Sequence, residues 1–240
     1  MVVGIEISPN ALRAARLKSL RSGREPDLVA EVPLAEPVSQ AISREDALSE
    51  PLGRLVRQVN PAKGRVAVAI PSSWCHFRAV AFPYRTPSRV EGTLQYALEG
   101  RLPGPVEAFV IEPVTGILPS GAAGSRLLLA AFPKDRMRSL LAALGASGVE
   151  PCVVQPSIVA LAHYLHTTAA LAPDRVALLL HLEGAACDVA LVRDGEVVAC
   201  EAVRLGSLDP RSPADAEAVA GRIRFVVRAF EVTDGAMTAD

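Results

Sequence analysis

The apolar residues of this chain fall into short runs, and that patterning limits the fold more than any other feature. Runs such as Val176–Leu180 stay far below the ~18 residues that a membrane-spanning helix needs. They are bounded by turn residues and alternate with stretches of helical period, which is the signature of an α/β protein. Strands are expected at Val2–Ile7, 11–18, 28–34, Arg65–Ile70, His76–Phe82, 109–118, 126–132, 152–155, 175–182, 187–193 and 196–203. Helices are expected at 47–59, 88–102, 134–145, 157–170 and 213–230, each with apolar residues at helical spacing, for example Leu48, Leu52, Leu55, Val56 and Val59. Asn60-Pro61 stops the first of these helices, and Asp194-Gly195 is a hairpin turn signal.

The chain has 240 residues, half of them apolar and 21% charged, with 25 Lys+Arg against 26 Asp+Glu. This is enough to build a substantial core, and it carries no basic surplus of the kind nucleic-acid binding draws on. The N-terminal Met-Val-Val-Gly-Ile-Glu lacks the basic region of a signal peptide. Four well-separated cysteines, at 75, 152, 187 and 200, fit reduced thiols of a cytoplasmic protein.

The two ends share a pattern. The segments beginning at Ile5-Glu6-Ile7-Ser8-Pro9-Asn10 and at Leu180-His181-Leu182-Glu183-Gly184 each open three hairpin-like strands followed by a helix. Such a duplication suggests a ligand cleft between two halves. A phosphate loop would follow the first strand of each half. Here Pro9 removes a backbone donor and Glu183 brings a negative charge, which leaves Asn10, Arg13 and Gly184 as residual nucleotide contacts. Glu6 and Asp188 are the carboxylates near this expected cleft.

Other constellations carry less. His163 and His166 share a helix face near Cys152 in sequence, without a third metal ligand at diagnostic spacing. Cys75 and His76 are neighbours on a strand and point to opposite faces, so they form no relay. In the middle segment, Phe77, Phe82, Tyr84 and Tyr96 supply aromatics either for a partner groove or for the segment's own core.

The residues Gly4-Ile5-Glu6-Ile7-Ser8-Pro9-Asn10-Ala11-Leu12-Arg13 resemble the opening strand and loop of PilM, the actin-like protein of type IV pilus assembly. Val68-Ala69-Ile70-Pro71-Ser72-Ser73, then 78–83, then the helix to Leu102-Pro103, resemble the inserted subdomain of that family. So do Ala130-Ala131-Phe132-Pro133-Lys134 and the segment from Leu140 to Gly148-Val149-Glu150-Pro151. The tail from Leu182 to Gly206 is similar to the second phosphate loop and hairpin. The cytoplasmic domain of the secretion protein GspL and, more distantly, FtsA share the architecture.

The resemblance implies an actin-like (RNase H-like) α/β fold. Residues 1–71 would begin the first subdomain, 72–150 form a small inserted subdomain, 151–173 return to the first, and 174–240 make a shortened second one. It implies a nucleotide site at Glu6, Ser8, Asn10, Arg13, Gly184, Asp188 and Gly206, degenerate because Glu6 and His181 replace aspartates while Ser8 and Glu183 replace glycines. Only 34 residues follow Gly206, so the chain resembles a shortened member or one cut before its natural end. The expectation is a non-catalytic cytoplasmic scaffold of a pilus or type II secretion platform, peripheral to the inner membrane through its partners and requiring no cofactor. It would hold the tail of a PilN-like membrane protein in a groove between the first subdomain and the insertion, with Tyr84 and Tyr96 as contacts. The alternative is an actin-like ATPase or sugar-kinase-like phosphotransferase that binds Mg–ATP through Glu6 and Asp188. A filament-forming FtsA-like role ranks last, because the C-terminal helix offers no basic amphipathic anchor.

Overall fold

The computed structural model describes residues 1–17, 26–35, 48–61, 64–120, 124–168, 170–171, 175–183 and 186–234. The chain divides into two compact units, 1–74 with 132–160, and 75–131 with 161–240.

The first unit is built on a five-stranded sheet in the order β3-β2-β1-β4-β9. Its strands are β1 (Val2–Ile7), β2 (Ala11–Leu17), β3 (Leu28–Pro33), β4 (Arg65–Ile70) and β9 (Val153–Pro156). The first three make an antiparallel meander, while β4 and β9 add in parallel beside β1. Alternation sets the faces: Val3, Ile5 and Ile7 of β1 and Val66, Val68 and Ile70 of β4 are buried. Helix α1 (Ser49–Val59) buries Leu52, Leu55 and Val59 and packs against β2, β3 and a later helix, α3 (Lys134–Ala146). The C-terminal end of α1 is closed by Asn60, whose left-handed backbone (φ 43°) lets its N–H reach the Val56 carbonyl. Ser147, at the end of α3, has its hydroxyl 3.0 Å from the Ala143 carbonyl of its own helix and 3.3 Å from the Ser49 carbonyl at the start of α1, and α3 packs on α1 within this unit. The expected end of β2 at Lys18 and start of α1 at Ala47 lie outside the described residues.

The second unit carries two sheets. One holds β5 (His76–Phe82), β8 (Gly124–Pro133) and β6 (Phe109–Pro113), with β7 (Leu118–Ser120) also paired to β8. Helix α2 (Pro87–Leu98) closes it, so that Val80, Phe82, Val90, Leu98, Phe109 and Leu129 form a common core. Sequence reasoning joins β6 and β7 into one strand over 109–118. The structure interrupts it after Pro113, which lacks an N–H, and the buried Thr115 hydroxyl accepts the Leu128 N–H in place of a backbone carbonyl. The helix expected to run to Leu102 stops at Leu98, where Glu99 and Arg101 turn back onto the Tyr96 and Leu98 carbonyls ahead of Pro103. Helix α4 (Ser157–Thr167) spans the boundary between the units and ends where Thr167 and Thr168 both donate hydroxyls to the Tyr164 carbonyl.

The other sheet of the second unit is the antiparallel meander β10 (Val176–Glu183), β11 (Ala186–Arg193) and β12 (Glu196–Arg204), followed by α5 (Ala216–Asp234). Each unit therefore contains three successive antiparallel strands followed in sequence by a helix. The last helix begins at Ala216 rather than Pro213 because Asp215 precedes it, its carbonyl accepting from Val219 and its carboxylate from the Asp209 N–H. Cys187, Val189, Val219 and Val226 are the core between α5 and this sheet. Among the described residues no helix is long and apolar enough to cross a membrane.

Candidate functional site

Of the seven expected nucleotide contacts, four fall in the first unit, two in the second, and Gly184 lies outside the described residues. In the first unit, cross-strand register places Glu6 opposite Arg13 and Arg13 opposite Glu31. The Arg13 guanidinium donates to Glu6 Oε2 at 3.3 Å and to Glu31 Oε2 at 2.8 Å, so one cation bridges two carboxylates across three strands. Glu6 therefore stands in an ion pair, and Arg13 is held flat along the sheet by two acceptors.

The loop after β1 is a closed turn. The Ser8 N–H donates to the Ala11 carbonyl at 2.9 Å, and the Asn10 carbonyl accepts from Leu34 at 2.9 Å. Pro9 has no N–H to offer. Ser8 is buried, at 2% exposure, and none of these residues takes the positive φ from which an anion-binding nest is built. Such a loop presents few donors to a phosphate.

In the second unit, Asp188 on β11 stands opposite His181 on β10, with His181 Nδ1 3.3 Å from Asp188 Oδ2. Asp188 is buried, and its charge acts on three thiols. Burial, then Asp188, raises Cys75 to about 12 and Cys187 to about 11. Cys200 is raised well above its ordinary value by burial first and then by Asp188, Glu201 and Cys75. These thiols stay protonated at neutral pH and are poor nucleophiles. His76, beside Cys75, packs edge-on against the Phe109 ring at 5.7 Å. Gly206 follows the buried Leu205 and takes a left-handed backbone (φ +67°) with open space around it.

The two aromatic candidates separate. Tyr84 is half-buried against the core of the β5-β8-β6 sheet, its hydroxyl 2.8 Å from Thr93 Oγ1 and its ring 5.8 Å from Phe82. Tyr96 stands on α2 and is 72% exposed. His163 and His166 are exposed on α4, and among the described residues no group of three or more His, Cys, Asp and Glu is placed to hold a metal.

Sequence reasoning missed a cavity of about 240 Å³ in the second unit, lined by Arg78, Arg101, Arg126, Cys200, Glu201 and Phe230 among others. It continues past Glu201 and Phe230 into a more apolar one of about 350 Å³ that includes Val203, Phe225 and Val226. Arg78 donates from Nε to the Arg101 carbonyl at 2.9 Å, and Arg101 returns a bond to the Ala79 carbonyl at 3.0 Å, which fixes both guanidinium groups. Burial and then Arg193 lower Arg126, while desolvation raises Glu201 against an opposing effect from Arg78. The signal was unreadable beforehand because these residues come from β5, the segment after α2, β8, β12 and α5.

The architecture defines the class: this is a protein with the actin-like ATPase fold, in the form seen in PilM. No family model matches the sequence, and no curated protein matches it. Among solved structures the chain is similar to the PilM–PilN type IV pilus biogenesis complex, with a TM-score of 0.71, 20% identity, and coverage of 97% of this chain and 73% of the other. It is similar to the cytoplasmic domain of EpsL, an inner-membrane component of the type II secretion system of Vibrio cholerae, with a TM-score of 0.56, 16% identity, and coverage of 85% and 71%. A Bacteroides thetaiotaomicron protein with an actin-like ATPase fold and unknown function matches with a TM-score of 0.53, 12% identity, and coverage of 97% and 77%.

Proposed function

We propose that this chain is a non-catalytic scaffold of a type IV pilus or type II secretion assembly platform. It holds the cytoplasmic tail of a PilN-like membrane protein and lies at the inner membrane through that partner and other platform proteins. It needs no ATP for this role. The observation that carries the reading is the closed turn after β1. Ser8 spends its N–H on Ala11, Pro9 has none, and Glu6 is paired to Arg13, so the residues that would grip a phosphate and its metal are already engaged. The fold shared with PilM in its complex with PilN supports the partner class. An extended tail is captured by main-chain hydrogen bonds together with side-chain pockets, and exposed Tyr96 is an aromatic contact available to it.

Two titrations of the purified chain test the proposal together. A synthetic peptide of the cytoplasmic tail of a PilN-like protein from the same organism is expected to bind, and Tyr96→Ala to weaken it severalfold. Mg–ATP is expected to give no heat up to roughly millimolar concentrations, where binding contributes only about 4 kcal/mol. Binding of Mg–ATP that disappears in Glu6→Ala, with no binding of the tail, would overturn the scaffold reading.

A further inference from the structure

The cavity that β5, β12 and α5 line in the second unit is charged in a way that the chain as a whole is not. The chain balances 25 Lys+Arg against 26 Asp+Glu, yet here Arg78, Arg101 and Arg126 stand against one carboxylate, that of Glu201. Two of these guanidinium groups are held by carbonyl oxygens, which orient a cation without neutralising it. Arg78 donates from Nε to the Arg101 carbonyl and from Nη1 to the Phe77 carbonyl at 2.7 Å, and Arg101 donates from Nη2 to the Ala79 carbonyl. Among the described residues neither comes within ion-pair distance of a carboxylate, and Nη2 of Arg78 and Nη1 of Arg101 have no acceptor. The Glu201 carboxylate, in turn, accepts no hydrogen bond among the described residues.

The cavity is long as well as charged. Five consecutive residues of β12, from Ala199 to Val203, line it and its apolar continuation. At about 3.3 Å per residue they run for about 13 Å, the length of a few extended residues and far more than a single ion occupies. At the far end Val203 and Phe230 form an apolar wall, and Phe225 stands beside them 76% exposed.

We propose that this trough is a docking site for an acidic peptide segment of a partner protein, a short extended stretch in which an Asp or Glu side chain meets Arg78 and Arg101 and a neighbouring apolar side chain lies against Phe225 and Phe230. The backbone N–H groups of such a stretch supply the donors that Glu201 lacks. The chemistry of the wall selects this class. A lone phosphate would answer the arginines, but it would leave the apolar end empty and be repelled by Glu201. A wholly apolar peptide would bury the guanidinium N–H groups without acceptors. The proposal does not rest on the scaffold reading, since neither Tyr84 nor Tyr96 lines the trough.

Selection of a random dodecapeptide library displayed on phage against the full chain tests this, followed by fluorescence anisotropy of the enriched peptides made synthetically. The enriched peptides are expected to carry Asp or Glu beside an apolar residue and to bind more weakly as salt rises from about 0.05 to 0.5 M. Arg101→Glu, at an exposed position, should weaken them at least about tenfold by setting a like charge against the ligand carboxylate. Phe225→Ser should weaken them severalfold. Arg136→Glu, the same charge change at an exposed position of α3 in the other unit, should leave the affinity unchanged. Circular dichroism establishes that each variant is folded. Enriched peptides without an acidic residue, or an affinity that Arg101→Glu lowers no further than Arg136→Glu does, overturn the proposal. So does a chain that enriches no peptide, including one that binds inorganic phosphate instead.

Discussion

Gly195→Ala is the substitution whose cost can be worked most directly from the structure. Asp194 and Gly195 form the two-residue turn between β11 and β12, with φ of 51° and 82°, the left-handed values that such a hairpin requires at both positions. Aspartate tolerates that region and alanine does so poorly, which costs about 1–2 kcal/mol. Gly195 is also buried, against the end of α4. A Cβ at position 195 would lie 2.4 Å from His166 Cγ, 2.7 Å from its Cβ and 2.8 Å from its Cδ2. These atoms are the root of the ring and cannot swing aside, so the helix end or the turn must move, at about 1–3 kcal/mol more. The variant should therefore lose roughly 2–5 kcal/mol in urea-induced unfolding followed by circular dichroism. His166→Gly removes all three crowding atoms. In a double-mutant cycle it should return about 1–3 kcal/mol of coupling while leaving the backbone share in place. A loss below about 1 kcal/mol, or no coupling to His166, would refute both the turn geometry and the packing of α4 against it.

Two further outcomes follow from the buried and bridged groups. The Cys75 thiol ionises near 9 when exposed and only near 12 when folded, so the native state holds its proton more tightly. Its contribution is whole below pH 9 and declines by about 1.4 kcal/mol per pH unit as the pH rises from there towards 12. Urea unfolding of wild type and Cys75→Ala between about pH 8 and pH 10.5 should differ in slope by about one proton, and parallel profiles would contradict the burial. Arg13→Ala leaves Glu6 and Glu31 without their shared cation. Because these side chains are partly exposed, the loss should be about 1 kcal/mol and should shrink in about 1 M salt, which unfolding at two ionic strengths would check.

The sequence by itself determined the local elements and the broad class. Alternation in Val2–Ile7 and Arg65–Ile70, the stripe of Leu52, Leu55 and Val59, the stop at Asn60-Pro61 and the turn at Asp194-Gly195 are short-range consequences of side-chain size, pleat and backbone freedom. They are legible without knowing what packs on what, and the resemblance to PilM rested on their order along the chain. Pro9 likewise announced a loop short of a donor. Only the tertiary structure decided which strands share a sheet, that residues 134–146 pack with α1, and that β6 stops where the Thr115 hydroxyl takes over from a carbonyl. It alone set one guanidinium between Glu6 and Glu31, brought Asp188 to act on thiols at 75 and 200, and gathered Arg78, Arg101 and Arg126 around one cavity. It also left Val176, Leu178, Leu180 and Leu182 of β10 part-exposed, beside the strands β11 and β12 on which α5 packs. These are relations between residues far apart in the chain, fixed by strand register and by how much of a sheet one helix can cover, and no local pattern encodes either.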